Sequence, residues 1–203
     1  MTTVRVIAGL GNPGQRYDGT RHNIGFAAVD RLAATCSASW KPESRFNAQT
    51  ATIEIAGNPV LLLKPQTFMN ASGKAISSVC RFYKWSPAGV LVVVDEFQLG
   101  LGRTKLTLKG SAGGHNGVQD ILDRVGDTFP RYRIGIAPPE PPLQRMTDYV
   151  LGKFSGEETK TLAKCWERIL SGLELTVRQG PALAINTINQ RIPKNEPSNK
   201  PEV

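Results

Sequence analysis

Reactive side chains are scarce in this sequence, whose 203 residues include only two histidines and three cysteines. Cys36, Cys80 and Cys165 are odd in number, far apart and without paired metal-ligand spacing, which argues against a disulfide framework and against a zinc site. Such usage fits a reducing cytosol. No G-x-S-x-G segment occurs, so the elbow that presents a serine nucleophile in α/β-hydrolases has no candidate. No apolar run approaches the length that spans a bilayer, and the start, MTTVRVIAGLG, has no charged region leading a longer apolar segment. A soluble, unexported, cytoplasmic protein is expected. Carboxylates are also in deficit, 17 against 25 Lys and Arg, for a formal charge of +8. These cations are spread along the chain and not packed into one tail, so the folded surface itself should be basic and suited to an anionic partner, nucleic acid first.

Length and a hydrophobic content of 40% allow one globular domain with a sizeable core. Val4–Leu10 reads as a buried first strand closed by Gly and Pro. Ile24, Ala27, Ala28, Leu32 and Ala33 then recur at roughly helical spacing, which places His22 at or just before a helix start. NAQTATIEIA and PVLLLKP flank Gly57-Asn58 as a hairpin. MNASGKAISSVCRFYKW predicts a helix with Asn70 and Ser72 available as caps, ending before Ser86-Pro87. VLVVVDE is the strongest buried-strand signal and puts Asp95 at a strand's C-terminal end; RTKLTLK and YRIGIAP add two further strands. GSAGGHNGVQDILDRVG is a glycine-rich loop running into a helix, and helical patterns cover 157–178 and 182–190, after a proline-rich loop at 138–142. Strands alternating with helices, plus a hairpin, give the α/β class: a single-domain three-layer α/β/α sandwich on a mixed twisted sheet over 1–191, with a polar, disordered tail at 192–203.

Gly9-Leu10-Gly11-Asn12-Pro13-Gly14 fits the dinucleotide-binding pattern G-x-G-x-x-G, and Asp30 follows at a suggestive distance. The context is wrong for it. Those glycines should open directly into a helix that meets a pyrophosphate, whereas NPGQRYDG is rich in turn formers, and Asp30 falls inside a helix.

What remains is His22 at a loop-helix junction, Asp95 at a strand end, and the amides of Asn12, Asn70 and Asn116 in glycine-rich or helix-start settings. Active sites of open α/β sheets gather at such places. Without a serine or cysteine elbow or a metal cluster, a histidine activating water is the simplest hydrolytic design.

LGNPGQRYDGTRHNIGF, KPQTFMNASGKAI, VVVDE, GSAGGHNGVQDI, RYRIGI and DYVLGKF, in this order and across nearly the whole chain, strongly resemble the bacterial-type peptidyl-tRNA hydrolases. The resemblance implies a monomeric α/β/α sandwich that hydrolyses the ester between a peptide and the 3′ ribose of tRNA, so recycling tRNA from prematurely released peptidyl-tRNA, with no cofactor and no metal. By position, His22 matches the catalytic histidine and Asp95 the carboxylate that orients it. An imidazole ordinarily titrates near ~6.5, and general-base help of this kind is worth ~10²–10⁴-fold. Asn12, Asn70 and Asn116 match amides that line the peptide and ester site, where they can read the backbone of a substrate with any side chain. Tyr17 matches a position near the site, to stack, hydrogen-bond or pack. For tRNA, the resemblance implies basic residues around the glycine loop and the neighbouring strands, here Lys105, Lys109 and Arg133, of which Lys105 and Arg133 fall on matching positions, with Arg103 and Arg131 close in sequence. His115 either supports the glycine loop or contacts the tRNA end, and Asn23 holds the helix start or the loop.

Departures from the pattern are local. Phe97-Gln98-Leu99 follows Asp95-Glu96 where a second aspartate is usual, Thr107 stands at a common lysine position, and Ser111-Ala112 replaces a glycine-histidine pair. RIGIAPPEPP departs from the usual RIGIG-x-P. None of these touches His22 or Asp95. An RNA-binding protein of the same fold without hydrolysis is the other reading, opposed by retention of both residues and all three asparagines.

Overall fold

Val90–Val94 organises the molecule, because alternate side chains of this run feed two separate cores. Val90, Val92 and Val94 belong to one buried cluster, Leu91 and Val93 to the other, and β1 (Val6–Gly9) splits in the same way between Val6 with Ala8 and Ile7. A strand buried on both faces needs such an unbroken apolar run. The computed structural model describes residues 3–138 and 145–190; the 192–203 tail and positions 139–142 of the proline-rich loop lie outside the described residues.

The sheet is seven-stranded, in the order β2 (Lys41–Glu43), β3 (Ala48–Ile55), β4 (Asn58–Pro65), β1, β5 (Val90–Gly100), β7 (Arg131–Ala137) and β6 (Thr104–Thr107). The four central strands β4, β1, β5 and β7 run parallel, and the outer pairings are antiparallel, so the sheet is mixed as expected. On one face lie α1 (Ile24–Thr35), α4 (Met146–Leu151), α5 (Gly156–Gln179) and α6 (Pro181–Ile188); on the other lie α2 (Ser72–Tyr83) and α3 (Asn116–Val125). From β1 the chain crosses through α1 toward β4, and from β4 through α2 back to β5 on the opposite side of β1. The gap outside the carboxyl ends of β1 and β5 is therefore a topological switch point, where ligands of open α/β sheets bind.

Several local expectations change. Contrary to expectation, Asp95 is not at the strand's end: β5 continues to Gly100, and its register with β7 holds through Glu96 before shifting. Neither Asn70 nor Ser72 caps α2. Its Gly73 N–H donates instead to the Asp120 carboxylate of α3 at 2.8 Å, a cap supplied across the layer and invisible to local spacing. Strand β2 and helix α4 carry no periodic signal: β2 is three residues long and contains Pro42, as an edge strand allows, and α4 has fewer than two turns.

One close approach sets the height of α1 above the sheet. A Cβ added at Gly25 would fall on the backbone carbonyls of Val93 and Leu10, and one at Gly9 would fall on the carbonyl of Gly25. The first turn of α1 thus rests on the ends of β1 and β5, and the residues just before it are delivered to the switch point. Gly25→Ala should cost about 1–3 kcal/mol through this overlap, read as a lower denaturant midpoint at unchanged m-value. An unchanged midpoint would show that the layer spacing does not depend on the glycine.

Candidate active site

Asp95 is 6% exposed, and its Oδ1 meets two imidazoles: His22 Nδ1 at 2.9 Å and His115 Nε2 at 3.0 Å. The two rings lie 4.9 Å apart between centroids. A carboxylate oxygen can only accept, so both ring nitrogens facing it carry hydrogen.

The tautomer of His115 is fixed independently. It is the N-cap of α3, and its Nδ1 accepts from the backbone N–H groups of Gly117 at 3.1 Å and Val118 at 3.3 Å. A nitrogen that accepts two N–H groups bears no proton, so His115 is neutral with hydrogen on Nε2, which it donates to Asp95. His22 donates through Nδ1, so the neutral ring carries its lone pair on Nε2. Burial by itself disfavours the charged form of Asp95, but its interactions with His115, then with His22, outweigh it and hold the carboxyl well below the usual range.

The flanking residues hold His22 from both sides. Asn23 Nδ2 donates to the Asn12 carbonyl at 2.9 Å, and Asn12 N–H donates to Asn23 Oδ1 at 2.8 Å. Asn23 therefore secures the loop after β1, not the helix start. Asn12 continues the lattice, its Oδ1 accepting from Met69 N–H at 2.8 Å. Arg21, on the other side, reaches into α4 and α5.

The remaining sequence candidates fall into two groups. Asn70, in the 3₁₀ turn Met69–Ala71, and Asn116, the first residue of α3, are exposed and make no side-chain hydrogen bond among the described residues. Tyr17 lies edge-on to the exposed Phe68 with centroids 6.4 Å apart, and the Arg16 guanidinium sits 4.5 Å from its ring centre. Lys105 on β6 stands opposite Arg133 on β7. Lys105 and Lys109 are exposed, whereas Arg133 is half-buried, ion-paired with Glu96 and hydrogen-bonded to the Ser111 carbonyl. Arg131 is fully buried, and its guanidinium donates to the carbonyls of Gly110, Phe129 and Asp127. Sequence spacing gave no hint that His115 stands beside His22, since that depends on how β5 and α3 converge.

Ligand atoms of His22, Asp95 and His115 all lie within 4.8 Å of one another, the spacing of a possible metal group. The donor set does not suit one. To offer a lone pair from Nε2, His115 would have to place a proton on Nδ1, facing the N–H groups of Gly117 and Val118.

An open α/β sheet with an imidazole held against a buried carboxylate at its switch point is an arrangement suited to a hydrolase. The particular family follows from comparison with known proteins. The family model for peptidyl-tRNA hydrolase matches residues 6–197. A peptidyl-tRNA hydrolase of Chloroflexus aurantiacus is 44% identical over 91% of this chain and 98% of its own. One from Alkaliphilus oremlandii is 41% identical over 92% of this chain and all of its own. The crystal structure of the Acinetobacter baumannii enzyme superposes with a TM-score of 0.86 at 36% identity, covering 93% of this chain and 96% of that one. The chain belongs to the peptidyl-tRNA hydrolase family.

The depressed carboxyl of Asp95 has a consequence for stability. A group whose folded pKa is lowered stabilises fully above its unfolded value, ~3.9 for aspartate, and that contribution is lost as pH falls through the folded value. Between about pH 7 and 4 the Asp95 contribution should therefore be flat, and below about pH 4 it should fall. In Asp95→Asn the difference from wild type should be constant above about pH 4 and shrink below it. Denaturant titrations at a series of pH values measure this, and parallel curves at every pH would refute it.

Proposed function

We propose that the chain carries out its family's reaction, hydrolysis of peptidyl-tRNA, with His22 as general base and Asp95 as the group that orients it. The observation that carries this reading is the tautomer chain: His115 can only donate to Asp95, His22 donates to the same oxygen, and His22 Nε2 is left basic. Nε2 takes a proton from water while the water oxygen bonds to the ester carbonyl carbon. The ribose oxygen then leaves as the tetrahedral carbon collapses, and the proton passes from Nε2 to that oxygen. Asp95 stabilises the imidazolium formed between these steps. His115 adds a second N–H to Asp95 and keeps the carboxylate ionised and in place, a role in the site and not at the tRNA surface.

The asparagines divide by their remaining valences. The Oδ1 of Asn12 is used by Met69, so toward substrate Asn12 can only donate through Nδ2, to a carbonyl oxygen. Asn70 and Asn116 keep both ends free, and one of them accepts the peptide N–H that distinguishes a peptidyl from an aminoacyl end. A charged α-amino group placed there would meet no partner for its extra protons and stay poorly desolvated. Tyr17 and Phe68 form an aromatic wall beside these amides. Lys105 and Lys109 supply free charge for tRNA phosphates, while Arg133 must share its guanidinium with Glu96.

Release of N-acetyl-amino acid from N-acetyl-aminoacyl-tRNA at neutral pH, with EDTA present, tests the mechanism. Wild type should be active, and His22→Ala should lose ~10²–10⁴-fold in rate. An active His22→Ala, or abolition by EDTA, would overturn it. Asn116→Ala should narrow the preference for blocked over free aminoacyl-tRNA, and an unchanged ratio would remove that residue from the assignment. Lys105→Gln should reduce the slope of log affinity against log salt by about 1; tRNA filter binding across salt concentrations would detect a slope that stays put.

A further inference from the structure

We infer that Arg21 and Glu158 act as a positioning pair that sets the angle at which His22 is presented, so that helix α5, remote in sequence, takes part in the chemistry through the turn Arg21–Asn23. This rests on His22 being the general base.

The arginine adjoining the histidine is 8% exposed, an expensive place for a cation unless it is fully partnered. Its Nη2 donates to Glu158 Oε2 at 2.7 Å, its Nε lies 3.4 Å from Glu158 Oε1, and its Nη1 donates to the Tyr149 carbonyl at 3.2 Å. The guanidinium carbon sits 4.1 Å from the centre of the Tyr149 ring and 5.5 Å from that of Phe154. Around it the backbone is also tied: Arg21 N–H donates to the Gly152 carbonyl at 3.0 Å, and Thr20 bridges to Lys153. A Cβ at Gly152 would lie 2.9 Å from Arg21 Nη1, at a residue whose own backbone does not demand glycine. This accounts for DYVLGKF: Tyr149, Gly152 and Phe154 shape the slot that the arginine occupies.

Glu158 is itself fixed. It is the N3 residue of a capping box on α5, accepting from Ser155 N–H at 2.7 Å while its own N–H donates to Ser155 Oγ at 3.2 Å. A carboxylate held at a helix start anchors Arg21, Arg21 anchors the turn, and Asp95 fixes the ring of His22 from the other side. Without Arg21 the hydrogen bond to Asp95 would remain, but the ring could swing about it, and the direction of the Nε2 lone pair toward the ester would scatter.

Substitutions that keep the local fold isolate this role. Arg21→Lys keeps the charge but cannot reproduce the planar fork or the ring stacking. Glu158→Gln keeps the capping box, which glutamine also forms, but removes the charge. Assayed on N-acetyl-aminoacyl-tRNA well below the melting temperature of each variant, both should lower kcat by about 10- to 100-fold at nearly constant KM. In a His22→Ala background, where no base remains to be aimed, Arg21→Lys should leave the residual rate unchanged. Wild-type kcat in both single variants, with His22→Ala inactive, would overturn the inference alone, as would an equal fractional loss in the His22→Ala background. Full activity of His22→Ala would instead overturn the general-base reading and this inference with it. Should Arg21→Lys fold poorly, Glu158→Gln and its combination with His22→Ala give the same readouts.

Discussion

A single oxygen, Asp95 Oδ1, accepts from two histidines, and the arrangement of protons in the site follows from that. The order of constraint begins at a helix end. The first N–H groups of α3 lack intrahelical partners, and His115 Nδ1 satisfies two of them. That fixes the proton of His115 on Nε2, which binds Asp95 and leaves the carboxylate a pure acceptor. His22 must then donate through Nδ1, and its basic nitrogen is the outer one. A requirement of secondary structure is thereby converted into the tautomer of a residue two contacts away.

The geometry tolerates this because the three side chains come from elements that are themselves pinned. Asp95 sits in the regular part of β5, one residue before its register with β7 breaks, in a strand flanked by β1 and β7. His115 begins α3, which is bound to α2 through Asp120. His22 precedes α1, whose close approach to the sheet is permitted by Gly25 and Gly9. Its neighbours staple the turn to opposite parts of the molecule, Asn23 to the loop after β1 and Arg21 to the start of α5.

Much of this was legible in the sequence, and the exceptions share one physical origin. The strands Val90–Val94 and Arg131–Ala137, the hairpin about Gly57-Asn58 and the long helix α5 announce themselves through period or unbroken apolarity, because burial on a fixed face imposes that pattern locally. His22, Asp95 and the exposed asparagines were readable as well, through their settings and the motifs around them. What local pattern could not supply was every feature satisfied by a distant partner: Asp120 capping α2, His115 completing the carboxylate's hydrogen bonds, and Arg21 seated against Glu158. The departures from the family motifs are now also placed. Gln98 is exposed, with its N–H on Glu96, and Ser111 is exposed too, so both lie outside the tautomer chain. Phe97 packs edge-on to Tyr149 with centroids 5.6 Å apart, on the wall of the Arg21 slot.

Charge needs the same distinction between local and distant partners. A formal +8 suggests a surface spread with cations for RNA, yet some of the basic residues nearest the site are spent inside the fold. Arg131 forms no ion pair with a carboxylate among the described residues; burial first, and then the like charge of Arg133, lower its pKa, while three backbone carbonyls accept from its two Nη groups and its Nε–H is left without a partner. Its bond to Gly110, with that of Arg133 to Ser111, ties the glycine loop to β7 just upstream of His115. The guanidinium groups thus hold the glycine loop, and on the proposed reading the exposed lysines on and after β6 are the ones left to meet phosphates. Arginine suits the first task because one planar group can bridge several acceptors, and lysine the second because its mobile point charge needs no fixed geometry. The basic character of the chain therefore reports two functions, and only its exposed part should appear in the salt dependence of RNA binding.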